Sequence, residues 1–223
     1  MASPVDRDRL TQARELQKRL QQQVRIEPLD ASPARVAGID VHFEPNGDRA
    51  WGSACVVSCP DLQVIECKIA AAAIDFPYRT GYLSFRELPA VAAVLTELAE
   101  RPDLLLLDGH GIAHPRRFGL ACHAGVEFDL PAVGCAKSRL CGRFVDPDKE
   151  ALARSDLTDG AEVLGKVLRS RAAVKPIFVS VGHRITLDQA VDAVIGCLDG
   201  FRIPLPLRMA HNRARSAARN GGV

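Results

Sequence analysis

The period at which apolar positions recur changes several times along the chain, and each change predicts an element. Leu10, Ala13, Leu16, Leu20 and Val24 return every three to four residues among Arg, Gln and Glu, which predicts an amphipathic helix over 5–24 with one face on the core. Runs over 36–43, 50–58 and 62–70 then read as strands. The turn formers Pro45-Asn46-Gly47-Asp48 and Cys59-Pro60-Asp61 separate them, so short connections make the three strands antiparallel neighbours. Helical spacing resumes with Leu88, Val91, Val94, Leu95 and Leu98, and 104–107 is an unbroken leucine run that reads as a strand buried on both faces. A helix over 120–128, strands over 132–136 and 177–181 and a helix over 186–198 follow, while the polar stretch 146–159 reads as a surface excursion. A meander followed by alternating helix and strand predicts an α/β fold with a mixed sheet flanked by helices, and strand, helix, strand implies a right-handed crossover.

Composition narrows the class. At 223 residues and 47% hydrophobic content the chain supports one core, so 1–223 is expected to be a single domain with an N-terminal helix. A net charge of +2 does not by itself mark a nucleic-acid binder, so any basic footprint must come from distribution. After Asp199 the chain carries Arg202, Arg208, Arg213, Arg215 and Arg219 with no acidic residue, which predicts a basic, flexible C-terminal tail suited to phosphates. Seven cysteines without a CxxC pair predict free thiols in a reducing cytoplasm and argue against zinc. No apolar run approaches the roughly 20 residues that span a bilayer, so a soluble protein with no membrane partner is expected.

Two carboxylates stand where strands should be apolar. Asp40 interrupts Val36-Ala37-Gly38-Ile39, and Asp108 closes the leucine run; without a partner each is costly there. If their strands are parallel neighbours, both reach the carboxyl edge of the sheet, where open α/β sheets place ligands. Asp108 also precedes glycine and has an alternative reading as a turn former. Glu87 has two readings as well. Ser84-Phe85-Arg86-Glu87 is a capping-box signature, yet beside Asp40 and Asp108 the same carboxylate completes an oxygen cluster for a hard cation. In the segment 108–121, two glycines admit close backbone approach, and His114, Arg116 and Arg117 supply donors suited to phosphate.

The ordered combination of Gly38-Ile39-Asp40, Pro77-Tyr78 with Gly81, Leu83, Phe85, Arg86 and Glu87, the block 108–121 with His123 and Gly125, Lys137-Ser138-Arg139-Leu140 with Gly142, and Ser180 to Arg184 resembles the endonuclease V family from about residue 36 to 211. The resemblance implies a ribonuclease H-like fold and a nuclease of DNA repair. It implies incision at the second phosphodiester 3′ to a deaminated purine, chiefly hypoxanthine, leaving 3′-hydroxyl and 5′-phosphate ends. By position, Asp40, Glu87 and Asp108 are the implied ligands of Mg²⁺, with Mn²⁺ as a substitute. His211 is the implied further ligand or water-orienting group, and Lys137 the active-site lysine. Gly81, Leu83, Gly109, Leu120 and Ala136 are the implied backbone pocket for the extruded base, and Pro77, Tyr78, Arg79 and Thr80 the wedge. The family commonly reads Pro-Tyr-Ile-Pro at the wedge, so Arg79 and Thr80 replace an apolar contact and a backbone constraint. The expected partner is DNA containing deaminated bases, with the protein acting as a monomer. An inosine-specific ribonuclease acting on inosine-containing RNA remains the alternative. A non-catalytic lesion-binding module is disfavoured, because binding a polyanion gains nothing from buried negative charge.

Overall fold

The computed structural model describes residues 4–45 and 49–222; Asn46, Gly47 and Asp48 of the expected turn lie outside the described residues. Helix α1 (Pro4–Gln21) leads into β1 (Arg35–Phe43), β2 (Arg49–Ser58) and β3 (Val64–Ala73), then α2 (Leu83–Thr96), β4 (Leu104–Leu107), α3 (Leu120–Phe128) and β5 (Ala132–Ala136). The chain continues through β6 (Arg154–Asp159), β7 (Glu162–Leu168), β8 (Ile177–His183), α4 (Leu187–Gly196) and α5 (Leu205–Asn220). The described strands form one eight-stranded sheet in the order β3-β2-β1-β4-β5-β8-β7-β6.

The meander is antiparallel as expected. β4 then inserts beside β1 in parallel, with Val36 opposite Leu104 and Ile39 opposite Leu107, and β5 continues in parallel beside β4. Beyond β5 the sheet turns antiparallel again through β8, β7 and β6. The leucine run explains the layering, because alternate side chains leave opposite faces of a strand. Leu104 and Leu106 pack with Val191 and Val194 of α4 and Leu207 of α5. Leu105 and Leu107 pack with Ala90, Val91 and Val94 of α2 and with Ala121 and Ala124 of α3.

Three expectations are corrected. The stretch 146–159 is not wholly a surface excursion, for its end is the edge strand β6, in which Leu157 alone is buried, too short an alternation to announce a strand. The segment before it is held by the buried Arg169, which donates to Pro147 O at 2.7 Å and Asp146 Oδ2 at 3.0 Å. The basic tail is an ordered helix: Ala210, Ala214, Ala217 and Ala218 of α5 are buried, and Arg213, Arg215 and Arg219 point outward. Finally, the cysteines are not all free, because Cys55 and Cys67 oppose each other on β2 and β3 and are joined by a disulfide. No helix among the described residues is long and apolar enough to cross a membrane.

Candidate active site

The parallel pairing of β1 and β4 decides where the chemistry sits. The pairing ends at Ile39 and Leu107, and the Asp108 N–H donates to Ile39 O at 3.1 Å. Asp40 and Asp108 are therefore the first residues beyond the paired stretch, side by side at the carboxyl edge. Asp40 is 8% exposed; its Oδ1 accepts from the Val41 N–H at 2.9 Å. Glu87 reaches the same edge from α2 and is also 8% exposed. The cap of α2 is Tyr82, with no side-chain cap bond, so the capping-box reading of Glu87 falls. Ser84 turns inward, its Oγ 3.1 Å from His123 Nδ1.

Asp40 and Glu87 are buried, Asp108 is half-buried, and the three lie within range of one another's charge. Burial pushes the Glu87 carboxyl well above the ordinary range, and the charges of Asp40 and Asp108 push it further. Asp108 is raised by burial and by Asp40 in spite of Lys137. Asp40 is held low: burial would raise it, but the hydrogen bond from His42 and the charge of Lys137 outweigh that. Lys137, immediately after β5, donates to Asp108 Oδ2. His211 on α5 places Nδ1 2.6 Å from Asp40 Oδ2 and 3.3 Å from Lys137 Nζ. Among the described residues the ligand atoms that lie within 4.8 Å of one another are those of Asp40, His42 and His211, with Glu87 and Asp108 near enough to feel the charge of Asp40, and carboxylates gathered this way suit a hard divalent cation. The donor set therefore fits Mg²⁺ or Mn²⁺.

His42 is a site residue that the sequence reading missed. Its Nε2 lies 3.3 Å from Asp40 Oδ2 and 3.1 Å from His211 Nδ1. The signal was present, since residues two apart on a strand share a face, and Asp40 and His42 are so spaced on β1.

A cavity of about 330 Å³ opens beside the carboxylates and is lined by Tyr78, Arg79, Thr80, Gly81, Leu83, Glu87, Asp108, Gly109 and Leu120 among others. The expected base pocket and the wedge loop thus share one concavity with the acidic edge. Pro77 precedes this stretch without lining it. Ala136 also does not line it; it packs with Ala113, Leu157 and Phe178 in a separate apolar cluster. Tyr78 is 64% exposed at the rim.

The three groups expected to bind phosphate are instead consumed internally. Arg116 donates through Nη2 to Gly81 O and through Nε to Gln17 Oε1, both at 2.5 Å, and its guanidinium lies over the Tyr82 ring. Gln17, 1% exposed, donates on to Phe118 O at 2.9 Å. Arg116 and Gln17 therefore tie α1, the loop at Gly81 and the 115–118 turn together, a role that no local sequence pattern announced. Arg117 is paired with Asp159 and Glu162 of the β6–β7 hairpin. His114 is buried and its Nδ1 accepts from the Arg116 N–H; burial, then the neighbouring Arg116 charge, lowers it to about 4, so near neutral pH it offers no cation to a phosphate.

Comparison with known proteins follows the same lines. The family model described as Endonuclease V matches residues 18–212. The endonuclease V of Gloeobacter violaceus is 47% identical over 205 residues, covering 90% of this chain and 83% of its own. The crystal structure of endonuclease V from Streptomyces avermitilis superposes with a TM-score of 0.90 at 38% identity, over 95% of this chain and 93% of that one. The Ciona intestinalis endonuclease V, crystallised with a 23-mer DNA containing an inosine followed by a ribo-adenosine, superposes with a TM-score of 0.83 at 28% identity, over 95% and 97% of the two chains. Likeness of that extent in sequence and fold, on a chain whose carboxylates meet at one sheet edge, makes this chain a member of the endonuclease V family.

Proposed function

We propose that this endonuclease acts on nucleic acid beside deaminated purines, deoxyinosine in DNA first, and hydrolyses the second phosphodiester on the 3′ side with the help of a bound divalent cation. The observation that carries the reading is the gathering of Asp40, Asp108, Lys137 and His211 at one sheet edge beside a cavity of about 330 Å³ that Glu87 and Asp108 line. The Ciona relative, crystallised on DNA containing inosine, supports the choice of lesion.

Asp40, Glu87 and Asp108 would hold Mg²⁺ or Mn²⁺, which when bound supplies Lewis acidity at the scissile phosphate and a more acidic attacking water. Lys137, which donates to Asp108 beside the cavity, would set its ammonium to stabilise charge that grows on a non-bridging phosphate oxygen. His211, held against Asp40, would serve from the α5 side as a further ligand or as the group that orients the attacking water. Backbone of Gly81, Leu83, Gly109 and Leu120 accepts the extruded base, and Tyr78 stacks in the space that it leaves. Extrusion costs a few kcal/mol, least where pairing is already weak, as it is for hypoxanthine.

The test is incision of end-labelled duplex carrying one deoxyinosine, run beside a matched RNA carrying inosine, with Mg²⁺ and with excess EDTA. We expect a single product ending at the second phosphodiester beyond deoxyinosine, abolished by EDTA. Undiminished cutting in EDTA removes the cation from the reading; cutting of the RNA alone transfers the protein to the inosine-specific ribonucleases.

A further inference from the structure

We propose that His42 is a nitrogen donor to the cation, so that Asp40, His42 and His211 form a mixed nitrogen and oxygen face of the centre that holds Mn²⁺ more tightly than Mg²⁺. The inference depends on the cation-dependent reading above and extends it to residues outside the carboxylate trio.

Strand parity supplies the first argument. Gly38, Asp40 and His42 alternate onto the same face of β1, the face on which α5 lies, since a Cβ at Gly38 would fall 2.2 Å from Pro206 C. His211 comes down from α5 onto that same row. Asp40 Oδ2, His42 Nε2 and His211 Nδ1 make a triangle with edges of 2.6, 3.3 and 3.1 Å. Adjacent donors around an octahedral ion with bonds near 2.1 Å stand about 3 Å apart, so the triangle already has the span of one coordination face.

The hydrogen-bond arithmetic points the same way. A ring nitrogen of neutral imidazole carries one hydrogen or one lone pair, and His211 Nδ1 faces both Asp40 Oδ2 and His42 Nε2, with the Lys137 ammonium as a donor beside it. His42 Nε2 is shared between Asp40 and His211 in the same way. A cation among Asp40 Oδ2, His42 Nε2 and His211 Nδ1 would replace the imidazole hydrogens between them and take all three lone pairs at once. The face is also reachable, with the two imidazoles 28% and 29% exposed beside a carboxylate at 9%. Imidazole is a poor ligand for Mg²⁺ and a better one for transition ions, which sets the direction of the preference.

The test uses metal-free protein without nucleic acid. Mn²⁺ is titrated by the loss of its free electron paramagnetic resonance signal, Mg²⁺ is added in competition, and nitrogen couplings to bound Mn²⁺ are counted by pulsed measurements on protein with ¹⁵N-labelled histidine. We expect couplings from two imidazoles and at least about a tenfold preference for Mn²⁺. In His42→Ala one coupling should vanish and Mn²⁺ affinity should fall about tenfold, while Mg²⁺ affinity changes less than twofold. Coupling to one imidazole in the unmodified protein, or unchanged Mn²⁺ affinity in His42→Ala, overturns the inference and leaves the carboxylate centre standing. Absence of any bound Mn²⁺ in the unmodified protein overturns both. The coupling count in the unmodified protein decides the matter even if His42→Ala fails to fold.

Discussion

At the scale of single residues, Glu87 is the position where structural cost and function separate most cleanly. It contributes no cap to α2, it is buried, and two like charges stand against it. Removing its charge should therefore relieve the folded metal-free protein, because an uncompensated buried charge is a burden on stability. Glu87→Gln is expected to melt at the same temperature as the unmodified protein or higher. Under the proposed cation-dependent reading Glu87 is a ligand whose loss withdraws several kcal/mol from the transition state, so single-turnover nicking should fall by roughly a hundredfold or more. A lower melting temperature with activity kept would return Glu87 to a helix-capping role. His42 shows the limit of reading residues one at a time. A search for carboxylates passes over it, and only the pleat of β1 makes it a neighbour of Asp40.

At the scale of elements, strongly periodic segments were legible and weakly apolar ones were not. The strand 104–107 could be read because each of its leucines is fully buried, and the capping box that starts α4 at Thr186 and Gln189 marks its helix well. The stripe of α5 is alanine, which buries too little apolar area to stand out among arginines, so the helix passed for a tail. Close approach is what that stripe provides. Gly38 completes the fit, since a Cβ there would meet backbone, Pro206 C at 2.2 Å and Leu207 N at 2.4 Å, which cannot swing aside as a side chain would. Gly38→Ala should destabilise the protein by about 1–3 kcal/mol and lower nicking by displacing His211, measured by denaturant melts and single-turnover assays. Unchanged stability and rate would mean that α5 is not seated by this contact. The edge strand β6 escaped for a different reason, because a strand with one buried residue carries almost no periodic signal.

At the scale of the whole molecule, the 78–81 loop and the cavity that Glu87 and Asp108 help to line form one surface, and that continuity was not contained in any local pattern. Three carboxylates dispersed over the sequence gained meaning from the family resemblance, because the register of β1 against β4 is a tertiary fact. The same dispersion hid the true employment of Arg116 and Arg117, whose partners come from α1 and from the β6–β7 hairpin. The surface predicts a division of labour. Tyr78→Ala should weaken binding to duplex containing deoxyinosine by about 1–3 kcal/mol, the worth of one base stacked on an aromatic ring, and leave undamaged duplex nearly unaffected in equilibrium binding. Equal losses on both duplexes would take Tyr78 out of lesion recognition. The chain separation of the site has a temporal side as well. Asp40 and His211 touch across 171 positions of sequence, so during synthesis the carboxylates and the base cavity leave the ribosome well before the helix that bears the second imidazole. The order of synthesis keeps the complete cluster from assembling until the sheet it is mounted on has been made, because α5 follows the last strand in the chain.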